Sequence, residues 1–175
     1  MREHFRQYII NLYQDIPQEV YEGLLSVFCL GLVVFSAWKG FKTGLRYSAV
    51  LLLVEYIFLL FCSTVIFRTS GDTRQYDFHP FWSYSHPDLF VENLMNVIVF
   101  IPVGLLICIA SKQMTWWKAL LIGCGISITI EALQFFFMRG FSELDDVMHN
   151  TVGCLIGWFL VKGSRLMIKA DLKIA

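Results

Sequence analysis

No two cysteines in this chain stand at C-x-x-C spacing, and the five present, Cys29, Cys62, Cys108, Cys124 and Cys154, all fall inside apolar runs. That leaves no zinc ribbon or thioredoxin-like motif and makes them small, reduced packing residues. Charge is scarce and balanced: Asp, Glu, Lys and Arg make up 16% of the 175 residues and cancel to zero. Without a surplus of either sign, nothing points to nucleic acid or to a polyanionic substrate. There is no G-x-S-x-G elbow for a serine nucleophile, and Ser127 lies deep in an apolar run. Internal repeats and low-complexity tracts are also missing. The opening MREHFRQYIINLYQDIPQEV never forms an uninterrupted apolar stretch before a small-residue cleavage site, so a cleavable signal peptide is not expected.

What the chain has in excess is apolar surface. Hydrophobic residues make up 57% of it and mean hydropathy is +0.60, too apolar for a water-soluble domain of this size. Crossing a bilayer takes roughly 20 helical residues. Runs near that length cover 20–38, 47–67, 91–110 and 116–137, and a shorter one with a polar start covers 147–161. The alternating ten-residue segments of a transmembrane barrel are absent, and an open strand in lipid would leave backbone groups unpaired. The expected fold is therefore all-α, a polytopic transmembrane bundle of about five spans. Phe5, Tyr8, Ile9, Leu12 and Ile16 recur at helical spacing, which predicts an interfacial N-terminal helix.

Orientation follows from the cations in the connecting segments. Nine (Lys39, Lys42, Arg46, Lys112, Lys118, Lys162, Arg165, Lys169, Lys173) fall on one side and five (Arg2, Arg6, Arg68, Arg74, Arg139) on the other. This predicts an external N-terminus and a cytoplasmic C-terminus in a multi-pass cell-membrane protein. Residues 1–19 are then an extracytoplasmic or interfacial segment, 20–67 two transmembrane helices, 68–163 an external loop with three more, and 164–175 a cytoplasmic tail. The loop Arg68 to Phe90 carries Pro80, Phe81, Trp82, Tyr84 and Pro87, and reads as an ordered aromatic cap.

Polar groups inside spans cost a few kcal/mol each when unpaired, about 2.5–3.5 for an Asp or Lys at mid-helix. Here Asn93 and Asn96 open the third run, Glu131 and Gln134 close the fourth ahead of Arg139, and Asp146 and Asn150 open the fifth. In the predicted topology all lie within about two helical turns of the external surface, so they should meet in one outward-opening polar cluster. Glu55 is different, about 12 Å from the cytoplasmic end. It reads as a relay group or as a protonated acid hydrogen-bonded to a neighbouring helix. Gly153 and Gly157 form G-x-x-x-G, which favours close packing of the last span on a neighbour.

Two other uses of these residues stay open. Asp145, Asp146, His149 and Asn150 could hold a hard cation for a metal-assisted lipid-phosphate or cell-wall-precursor enzyme. Helical geometry opposes this, because Asp145 and His149 share one face while Asp146 and Asn150 share another. His79, His86 and His149 give a weaker zinc or copper alternative. The cluster could also be a dry scaffold that fixes helix register, in which case every polar group should be paired.

Order and spacing add a resemblance. Asn96, Phe100, Pro102 and Gly104 read N-x-x-x-F-x-P-x-G; Glu131 and Gln134 read E-x-x-Q. Arg139, Asp145, Asp146, Asn150 and Gly153 complete R-x(5)-D-D-x-x-x-N-x-x-G. Together they resemble the VanZ family of membrane proteins over about Arg68 to Trp158. YDFHPFWSY is similar to that family's N-L-x-P-F loop, with Asp77 where asparagine is frequent. The resemblance implies a role in resistance to glycopeptide antibiotics of the teicoplanin type, with no cofactor and no established reaction. It also makes Asn96, Glu131, Gln134, Arg139, Asp145, Asp146 and Asn150 the candidate binding residues, and Phe100, Pro102, Gly104 and Gly153 the structural ones. The expected partners are membrane lipids and a lipoglycopeptide or a lipid-linked cell-wall precursor.

Overall fold

The computed structural model describes residues 30–39 and 44–174, with side chains to Leu166. Its order is α1 (Leu30–Lys39), α2 (Leu45–Phe61), a π-helical turn (Cys62–Ile66), β1 (Gln75–Asp77), 3-10 turns at Trp82–Ser85 and Pro87–Leu89, α3 (Phe90–Ala110), α4 (Trp116–Phe137), β2 (Phe141–Glu143) and α5 (Leu144–Ile174). Among the described residues three helical stretches are long and apolar enough to cross a membrane: Leu45–Ile66, Pro87–Ala110 and Trp116–Phe137. Only 28% of each is buried inside the protein, so most of their apolar surface needs a non-aqueous solvent. The apolar run 147–161 lies within α5, whose polar first turns keep it out of that set. Of the expected first span, residues 30–38 are helical, and the expected interfacial helix lies outside the described residues.

Helices α3 and α5 form the tightest interface, and glycine is the reason. A Cβ on Gly104 would lie 1.9 Å from the Cys154 carbonyl oxygen, one on Gly153 2.0 Å from that of Val97, and one on Gly157 2.1 Å from that of Ile101. Backbone therefore rests on backbone, as the G-x-x-x-G spacing predicts. The core beside this contact comprises Leu60, Val65, Phe100, Val103, Ile107, Ala119, Ile130 and Cys154. Tyr56 of α2 ties into it by donating to the Val99 carbonyl at 2.7 Å.

Two irregularities shape the end of the bundle where the polar residues gather. The π-helical turn, closed by the Phe67 amide on the Cys62 carbonyl at 2.9 Å, releases carbonyls that an α-helix would use. Helix α4 ends on Met138 in the left-handed region (φ 54°). The Arg139 amide bonds to the Gln134 carbonyl at 2.8 Å and the Met138 amide to that of Phe135 at 3.4 Å, a Schellman closure. Gly140 at φ +95° then turns the chain into β2. β2 pairs in parallel with β1 (Gln75 opposite Phe141, Asp77 opposite Glu143), clamping the long loop onto the α4–α5 connection. No periodicity in either three-residue segment signals this pairing, because strand partners sit far apart in the chain.

Candidate functional site

Five of the seven candidate binding residues line one cavity of about 310 Å³: Asn96 from α3, Glu131 and Gln134 from α4, and Asp146 and Asn150 from α5. Its other wall is apolar, with Leu60, Met95, Val99, Phe100 and Ile130, and exposed Arg68 and Glu92 stand at its mouth. Asn96 donates to Asp146 Oδ1 at 2.6 Å, and Asn150 donates to the Ser127 hydroxyl at 2.8 Å. Glu131 Oε2 accepts the Glu143 amide at 3.0 Å, and Gln134 Nε2 donates to the Thr64 carbonyl in the π-helical turn at 3.1 Å. Gln134 is only 3% exposed, yet its Oε1 has no hydrogen-bond partner among the described residues. Such a buried acceptor costs about 1–3 kcal/mol unless something donates to it.

Arg139 and Asp145 go elsewhere, a correction to the expected set. Arg139 donates to the Ile66 carbonyl and, at 2.8 Å, to that of Arg68, which stitches the end of α4 to the end of α2. Asp145 is fully buried and accepts from the Phe81 amide at 2.6 Å, the Ser83 amide at 2.9 Å and the Ser83 hydroxyl at 2.6 Å. It is the anchor of the aromatic cap. His149 lies on the same face, with Nε2 3.0 Å from the Tyr84 hydroxyl and Nδ1 buried without a partner among the described residues. The two acids of the D-D pair thus serve opposite faces of α5, which separates the ligands a metal site would need. Among the described residues no group of three His, Cys, Asp or Glu side chains converges as a metal site.

A wider groove of about 500 Å³, lined by Tyr84, Pro87, Phe90, Leu94, Val97 and His149 among others, lies on the other side of α3. It holds none of the five cavity residues, so size alone does not locate the chemistry. Glu55 is buried, but neither carboxyl oxygen has a partner among the described residues. The hydrogen bond expected from a neighbouring helix is therefore not formed there.

Outside the helices, burial first and then the negative charge of Asp146 push the Glu143 carboxyl up to about 7. Glu143 Oε2 accepts the Trp82 indole N–H at 3.1 Å. Sequence reasoning passes over Thr64, Arg68 and Glu92 as lining residues. Arg68 reads as an ordinary boundary charge, and only the packing of α2 and α3 beside α4 and α5 brings it and Glu92 to the cavity. The one available signal is that Arg68 is the nearest cation in sequence to the polar end of α2.

The fold and this site define a membrane-type helical protein with a polar cavity gathered at one end of three packed helices. A family model described as VanZ/LLP1 matches residues 47–168, and the chain belongs to that family. It is 38% identical over 68 residues to Protein VanZ of Enterococcus faecium, an alignment covering 39% of this chain and 42% of that protein. The chain thus spans about two-fifths of the length of that curated relative. No solved structure matches it.

Proposed function

We propose that this protein modulates tolerance to lipoglycopeptide antibiotics of the teicoplanin type by binding the polar headgroup of an amphiphile in the α3–α4–α5 cavity, on the outer side of a five-span bundle. The observation that carries the reading is Gln134 Oε1, without a partner among the described residues and held in a cavity whose polar lining includes Asn96, Glu131, Asp146 and Asn150. A dry scaffold would pair every such atom. Spare acceptors beside carboxylates favour a headgroup rich in donors, such as amines and hydroxyls. The apolar wall of Leu60, Met95 and Val99 suits the first segment of a lipid tail. The cation counts support an external position for this end, where such a drug and lipid-linked wall precursors meet the membrane. Similarity to a protein named VanZ supports the resistance role.

The test is an alanine series at Asn96, Glu131, Gln134 and Asp146, expressed at matched levels in a susceptible host challenged with teicoplanin. Loss of tolerance in the cavity variants, with Arg74→Ala unaffected, is the expected result. Full tolerance in all four overturns the reading.

A further inference from the structure

At the opposite end of the bundle, three cations from three separate stretches of chain converge on a groove of about 420 Å³: Arg46 in the first turn of α2, Lys112 just after α3, and Arg165 in α5. Among the described residues no acid lines it, and the only ion pair is His79 with Asp77. Like charges gathered without a counterion repel one another, so an anion that joins them relieves that repulsion. Helix α2 also starts here, at Gly44, with no side-chain cap and no acid in its first turn. Its positive dipole end adds to the same field. Arg165 uses one nitrogen on the Cys108 carbonyl at 3.2 Å, which fixes the guanidinium while leaving further donors.

Depth decides what kind of anion fits. Between Leu45 at this groove and Thr64 at the polar cavity, α2 and its π-helical turn rise about 28 Å, close to the thickness of a hydrocarbon core. Exposed Trp38, Trp116 and Trp117 ring the same end, as aromatic residues do at a headgroup boundary. Leu45, 72% exposed, and Ile109 give the groove an apolar lip toward lipid. We infer that Arg46, Lys112 and Arg165 form a binding site for the phosphate of an anionic phospholipid headgroup, with the acyl chains descending past Leu45.

The experiment is native mass spectrometry of the full chain released from detergent, titrated with phosphatidylglycerol, phosphatidylcholine or soluble glycerol 3-phosphate. The expected result is retention of phosphatidylglycerol over phosphatidylcholine, reduced about 30-fold in Arg46→Gln/Arg165→Gln at about 1 kcal/mol per cation. The milder Lys112→Gln, on an exposed loop residue, should show a smaller loss, and Arg74→Gln none. Thermal stabilisation of the wild type by phosphatidylglycerol, reduced in Lys112→Gln, gives a second readout should the double variant fold poorly. Equal retention of both lipids, undiminished retention in these variants, or displacement of the lipid by equimolar glycerol 3-phosphate would overturn the assignment.

Discussion

Replacing Gly153 by alanine tests the packing on which the cavity depends. The new Cβ would sit 2.0 Å from the Val97 carbonyl oxygen, so α3 and α5 must part by about 1.4 Å to restore ordinary contact. The neighbouring Asn96–Asp146 hydrogen bond, now 2.6 Å, would stretch to about 4 Å and be lost. Overpacking costs about 1–3 kcal/mol and a hydrogen bond to a charged group about 1.5–3, so the expected destabilisation is about 2.5–6 kcal/mol. Gly125→Ala is the matched control: nothing lies within 4 Å of its Cβ, and helix propensity predicts a gain of up to about 1 kcal/mol. Unfolding both variants and the wild type by SDS titration in dodecylmaltoside micelles, followed by tryptophan fluorescence, compares the signs directly. If Gly153→Ala proves as stable as Gly125→Ala, the backbone-on-backbone contact is wrong and the cavity geometry built on it falls too.

Other outcomes follow from the same structure. Asp145→Ala strips three donors of their acceptor and should release the aromatic cap, read as faster proteolysis between Arg68 and Phe90; Asp145→Asn should be milder, and a wild-type cleavage rate in Asp145→Ala would exclude the anchor role. Arg139→Ala leaves the Ile66 and Arg68 carbonyls without that donor and should lower the unfolding free energy by about 1–3 kcal/mol without changing lipid retention at the basic groove. The Glu143 carboxyl stands at about 7 against an ordinary 4.5, so the folded state holds its proton more tightly than the unfolded chain. Its stabilising contribution is full below pH 4.5 and disappears as pH rises through about 7. Glu143→Gln should flatten the pH dependence of cap proteolysis across that window; an unchanged slope would assign the dependence to another group.

Much of this molecule is legible one helix at a time. The apolar run from Trp116 to Phe137 coincides with α4 because two charged or polar boundaries limit how far an apolar helix extends. The split between Asp145 with His149 and Asp146 with Asn150 follows from 3.6 residues per turn, and it is the arrangement observed. Other features resist such reading. Arg139 sits in the same motif as the cavity residues, yet its side chain serves carbonyls more than 70 residues away, where the π-helical turn after α2 ends. Asp145 looks like a second pocket acid until the cap folds over it.

Local chemistry alone therefore settled that the chain is helical and suited to lipid, which groups are too polar to face acyl tails, and where glycine lets helices touch, since each depends on periodicity and transfer energy along a single segment. Which acids share a cavity, which cation guards its mouth, and which polar side chains are spent on backbone was decided by tertiary structure. Those assignments depend on loop path and on which helix lies beside which, and both are set by contacts between residues distant in the chain.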